Sequence, residues 1–85
     1  MNRSTYFVQL LKFNLVRLLI SNGLPLDELI LLEWKNLSVT RNTIRITLQS
    51  NTYKIVDEEV LLFFDELKRY KKRDDPFVFL LSSPY

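Results

Sequence analysis

Cysteine and histidine are both missing from this 85-residue sequence. Without cysteine there is no disulfide framework and no thiolate metal site. Without histidine the commonest general base and the commonest nitrogen ligand for zinc are gone. No metal or other cofactor is expected, and no small-molecule substrate. The lack of cysteine also fits a reducing, cytoplasmic setting. There is one glycine and there are three prolines, so each marks a boundary. No repeat, low-complexity tract or linker divides the chain. Charge of one sign is also scarce. The net charge of +2 falls short of the basic excess of a tight nucleic-acid binder, yet it permits contact with phosphates. The most apolar stretch, Thr5–Ser21, is broken by Lys12 and Arg17. A membrane span needs roughly 20 mostly apolar residues, and a signal peptide needs an unbroken apolar run followed by a small-residue cleavage site. The expectation is a cytoplasmic protein without membrane contact.

What is present is apolar material. Hydrophobic residues make up 47% and aromatics 13% of the sequence, which supports a folded core and argues against disorder. Residues 1–85 read as one small domain. At this size the chain buries only roughly 60% of the surface it exposes when unfolded, so modest stability is expected.

The spacing of Phe7, Leu10, Leu11, Leu15, Leu18 and Leu19 predicts a helix over about Thr5–Ser21. Asn14, Arg17 and Ser21 form its narrow wet stripe. A helix so nearly apolar around its circumference is expected at the centre of the core. Asn22-Gly23 ends it, because glycine accepts the left-handed backbone that closes a helix. A second helix is predicted from Pro25 to about Lys35. Proline suits its first turn, and Asp27 and Glu28 favour the positive end of its dipole. Three strands follow: Leu37–Thr40, Thr43–Leu48 and Thr52–Val56. Arg41-Asn42 makes the first turn and Gln49–Asn51 the second. A last helix runs from Asp57, a good N-cap, to about Lys71, with Val60, Phe63, Phe64, Leu67 and Tyr70 as its apolar stripe. After Asp74-Asp75-Pro76, the run Phe77–Leu81 reads as an extended segment packed on the core. The fold class is α+β. Two N-terminal helices lead into a three-stranded antiparallel sheet, then one C-terminal helix and an extended tail.

This order of elements, with several motifs, resembles the front half of the catalytic domain of tyrosine recombinases, the phage-integrase family. Asn22-Gly23-Leu24-Pro25 stands where that family has Thr-Gly-Leu-Arg. Asp27-Glu28-Leu29 and Leu32-Glu33-Trp34-Lys35-Asn36-Leu37 stand at its second helix. Thr43-Ile44-Arg45-Ile46 and Ile55-Val56 match its second and third strands. Phe77-Val78-Phe79-Leu80-Leu81-Ser82 resembles its short stretch after the sheet and helix. The likeness covers nearly the whole chain and implies a truncated integrase-like domain from a phage or other mobile element.

The departures from the family imply that the chain is not an enzyme. The family's first arginine clamps the scissile phosphate with a planar fork of donors. Pro25 holds that position here. The family's catalytic lysine lies in the turn between the second and third strands, where this sequence has Gln49-Ser50-Asn51-Thr52. Lys54 comes later, within the strand. The second arginine, the histidines and the tyrosine nucleophile belong to a later half that has no counterpart here, and Tyr85 lacks their context. The resemblance makes Lys35, Arg41, Arg45 and Lys54 candidates for contact with the phosphates of duplex DNA. The plainer reading of Arg45 and Lys54 is a solvated sheet face. The Lys68–Arg73 cluster is most simply the complement of a helix C-terminus, and Trp34 a packing residue. Two functions compete, beside a third reading in which the chain is a recombinase fragment or decaying remnant with no function of its own. One is a non-catalytic DNA-binding or recombination accessory protein. The other is a protein-interaction module that self-associates or binds a full-length recombinase across apolar surface left open by truncation.

Overall fold

The computed structural model describes residues 3–71 and 73–79. The mixed architecture expected from the sequence is the one observed. Helix α1 spans Arg3–Ser21 and helix α2 spans Leu26–Leu29. After a 3-10 turn at Trp34–Asn36 come strands β1 (Leu37–Thr40), β2 (Thr43–Thr47) and β3 (Thr52–Ile55), then helix α3 (Glu58–Lys68). The sheet is antiparallel in the order β1-β2-β3. No helix among the described residues is long and apolar enough to cross a membrane.

Local chemistry sets most of these boundaries. At the end of α1, the Gly23 N–H donates to the Ile20 carbonyl at 2.9 Å and the Leu24 N–H donates to the Leu19 carbonyl at 3.1 Å. This is the Schellman closure, which needs a left-handed residue between the two bonds. Gly23 supplies it with φ of 93°. Leu24 then turns inward and is buried, so the chain leaves α1 along the core rather than away from it. Asp57 caps α3 as expected, its carboxylate accepting from the Glu59 N–H at 2.9 Å. Arg41 and Asn42 form the two-residue turn, because Thr40 pairs with Thr43.

One hydrophobic cluster joins all the layers. Leu11, Leu15, Val16 and Leu19 come from α1; Ile44, Ile46 and Ile55 from the sheet; and Val60, Phe64 and Leu67 from α3. Burial in β2 alternates, with Ile44 and Ile46 inside and Arg45 and Thr47 outside, as the period of two requires. The tail closes this core. The Trp34 N–H donates to the Pro76 carbonyl and the Val78 N–H to the Leu32 carbonyl, both at 2.9 Å. Glu33 and Phe77 thereby form an antiparallel bridge. Val78 and Phe79 are buried, and the Phe79 ring lies 6.2 Å from that of Phe64. The remainder of the apolar run, Leu80 and Leu81, lies outside the described residues.

Two features differ from the sequence reading. The second helix is a single turn and stops at Leu29, not near Lys35. Leu32, Glu33 and Trp34 are drawn into extended pairing with the tail, and those long-range bonds displace the helical ones. Pro25 is the residue before the helix, in extended conformation with φ −77° and ψ 133°. The second difference concerns α1, which is not central. Its inner side is buried, but Tyr6, Phe7, Leu10, Phe13 and Ile20 stand substantially exposed. The wet stripe is real. The Asn14 amide donates to the Leu10 carbonyl, Arg17 donates to the Asn14 side-chain oxygen, and the Ser21 hydroxyl donates to the Arg17 carbonyl.

Candidate nucleic-acid interface

The outward face of the sheet follows from register. Residues directly opposite each other in an antiparallel pair share a face. Ser38 pairs with Arg45, and Arg45 with Lys54. These three residues therefore form one row straight across the sheet. Thr40 and Thr43 form the next row towards the β1–β2 turn, and Thr47 and Thr52 the row on the other side. The seven residues are two cations and five hydroxyls, and none is a carboxylate. Ser38, Thr40, Arg45, Thr47, Thr52 and Lys54 are all exposed.

Arg45 and Lys54 are thus direct cross-strand neighbours, with Cβ atoms about 4.5–5.5 Å apart by strand geometry. Like charges so placed repel and destabilise the pair. An anion bound between them relieves that repulsion. Among the described residues, no carboxylate forms an ion pair with Arg41, Arg45 or Lys54. One hydroxyl is partly committed, since Thr40 Oγ1 donates to the Thr43 carbonyl at 3.4 Å. The other four lie on the same face, Ser38, Thr47 and Thr52 exposed and Thr43 half-buried, and hydroxyls of this kind can donate to phosphate oxygens.

The other candidates are placed differently. Arg41 lies in the β1–β2 turn, at the tip of the same hairpin and exposed. It stands just beyond the Thr40–Thr43 row. Lys35 does not join these cations. It sits in the 3-10 turn before β1, at the opposite end of that strand from Arg41, and its ammonium lies 3.8 Å from Glu33. It shares a shallow surface depression with Trp34, Lys71 and Arg73, together with Asp74 and Asp75. Lys71 and Arg73 belong to the cationic cluster after α3, where Arg69 pairs with Glu66 at 3.8 Å. Trp34 is half-buried against the core, in keeping with a packing role.

Glu28 does more than its place in a helix first turn announced. Its carboxylate accepts from the Ser50 N–H at 2.9 Å, across 22 residues of sequence. The nearby Ser50 hydroxyl, followed by this N–H, holds the Glu28 carboxyl below its ordinary value. The bond ties α2 to the β2–β3 turn. The adjoining cleft, about 610 Å³, is lined by Asp27, Glu28, Glu33, Asn36 and Gln49. Its only formal charges are negative, a poor setting for a phosphodiester. No sequence signal foretold this link, because a contact between separate elements leaves no local periodicity.

No family model, curated protein or solved structure matches the chain.

Proposed function

We propose that this chain is a non-catalytic, integrase-like accessory protein that contacts the backbone of duplex DNA through the outer face of its sheet. The observation that carries the reading is the carboxylate-free row Ser38–Arg45–Lys54, flanked by threonine rows, with Arg41 beyond them at the hairpin tip. Cations and hydroxyls of this kind position a protein on phosphates without reading bases. Such binding is weak, non-specific and steeply dependent on salt. The lack of catalysis is supported by Pro25 and by the carboxylates near the β2–β3 turn, where phosphoryl transfer would need fixed positive charge. The test is fluorescence anisotropy of a labelled duplex at two salt concentrations, with Arg45→Ala and Lys54→Ala compared against the parent. Lack of binding by the parent at low salt would refute the reading.

A second reading, that the chain acts through protein contact, is favoured by the exposed apolar side of α1. The two readings use opposite kinds of surface, one polar and cationic, the other apolar.

A further inference from the structure

Helix α1 has two apolar sides, and only one is used by the fold. Leu11, Leu15 and Leu19 point into the core. At 100° per residue, Tyr6, Leu10, Phe13, Arg17 and Ile20 lie on the opposite side. Their spacing is four, three, four, three, which is the spacing of a heptad seam. Tyr6 is 60% exposed and Phe13 68%. Leu26, half exposed on α2, joins Phe13, Val16 and Ile20 in lining a shallow groove, with Arg17 and Ser21 at its edge.

We propose that this seam is the interface of a homodimer, in which α1 packs antiparallel against α1 of a second copy about a two-fold axis at Phe13. Three observations favour a second copy as the occupant. The two ends of the seam are equidistant from Phe13, with Tyr6 seven residues before it and Ile20 seven after. In the antiparallel pairing Tyr6 of each copy meets Ile20 of the other, and both ends of the seam are filled by the same contact. Charge selects this direction. Arg17 is the one charged member of the seam, and antiparallel pairing sets it beside the neutral Leu10 of the other copy. Parallel pairing would set it against a second Arg17. The two Arg17 residues of the antiparallel dimer are eight residues apart along the axis, about 12 Å at 1.5 Å per residue, beyond a Debye length of about 8 Å at physiological salt.

The exposed area suits a weak dimer. A whole aromatic side chain offers roughly 150–250 Å², so the exposed fractions of Tyr6 and Phe13 amount to about 200–300 Å². Leu10, Ile20 and Leu26 bring the patch towards the upper end of the roughly 300–600 Å² of an ordinary monomer's largest one. Arg17 within it, and Gln9 and Ser21 at its margin, take it towards the roughly 800 Å² per partner of a standard interface. The dimer leaves the outer sheet face to its own function and stands whether or not that face binds DNA.

The test is sedimentation of the full chain without DNA, across roughly 1 μM to 1 mM. The expected result is a reversible shift from one chain to two. Phe13→Asp abolishes the shift, with the circular dichroism spectrum and melting temperature of the monomer retained. The absence of cysteine permits a second test that does not depend on that variant folding. Phe13→Cys is expected to form a disulfide-linked dimer on mild oxidation. Tyr6→Cys chains mixed with Ile20→Cys chains cross-link to each other in preference to themselves, and Ser50→Cys does not cross-link. A parent that stays monomeric throughout the range, a dimer indifferent to Phe13→Asp, or self-linking of Tyr6→Cys would each overturn the proposal. So would a monomer that instead binds neutral lipid vesicles through this face.

Discussion

Replacing Phe79 with alanine is expected to bring the protein close to unfolding. Phe79 has no exposed surface and packs beside Phe64. Its neighbour Val78 is anchored to Leu32 by a backbone bond, and Pro76 to Trp34. The tail cannot slide inward to fill the space, because these bonds fix its register. Phenylalanine-to-alanine changes at such sites cost about 3–5 kcal/mol. An 85-residue chain has a total stability of roughly 4–13 kcal/mol, at about 0.05–0.15 kcal/mol per residue. With a urea slope of roughly 1 kcal/mol per molar for a chain this small, the midpoint falls by about 3–5 M. Trp34 is the only tryptophan and lies beside the tail, so its fluorescence reports that corner while far-UV circular dichroism reports the helices. The two transitions are expected to coincide in parent and variant alike. Leu62→Ala, at a residue 66% exposed on α3, is the control and is expected to stay within about 0.5 kcal/mol. A fall of less than about 1 M for Phe79→Ala would show that the tail is not part of the cooperative core.

Gly23→Ala is expected to cost about 1–2 kcal/mol by backbone strain alone. A Cβ at Gly23 meets nothing within 4 Å, so φ of +93° is the whole of the penalty. Thermal melts check it, and an unchanged melting temperature would contradict the Schellman closure. Glu28 ionises below its ordinary range because Ser50 favours the charged form. Its contribution to stability is therefore complete above the unfolded carboxylate value and is lost as pH falls through the lowered folded value. In Glu28→Gln this part of the acid dependence disappears, and the urea midpoint of parent and variant converge at low pH. A difference between them that is constant with pH would contradict the link from α2 to the β2–β3 turn.

Elements whose signals are local were legible in the sequence. The alternation Thr43-Ile44-Arg45-Ile46-Thr47 placed β2 and its two faces, Asp57 placed the start of α3, and Gly23 placed the end of α1. That Arg45 and Lys54 belong to the same small sheet was also legible; that they stand directly opposite each other was not, because it depends on the register of β2 against β3. Features that depend on distant partners were not legible. Residues 30–35 carry a helical pattern, but Leu32 and Trp34 bond to the tail more than 40 residues later, and no window of local sequence contains that competition. The Glu28–Ser50 bond has the same character. Lys35 was grouped with the sheet cations because the second helix was expected to deliver it there. The 3-10 turn and Glu33 place it elsewhere. The exposure of Phe13 was hidden for another reason. A helix apolar on opposite sides has two equivalent stripes, and only the position of α3 and the sheet decides which one is buried.

The central claim, a phosphate-binding sheet face, is tested most directly by the salt dependence of duplex binding. On that proposal Arg41, Arg45 and Lys54 together would neutralise about three phosphates, which gives an expected slope of log K against log salt of about −2.7. Between 50 and 200 mM salt the affinity of the parent is expected to fall roughly 40-fold. Removing Arg45 and Lys54 together should flatten the slope to about −0.9 and the fall to roughly 3–4-fold, with weaker binding at the lower salt. An unchanged slope in the double variant, or no binding by the parent at the lower salt, would contradict the assignment of this face to DNA.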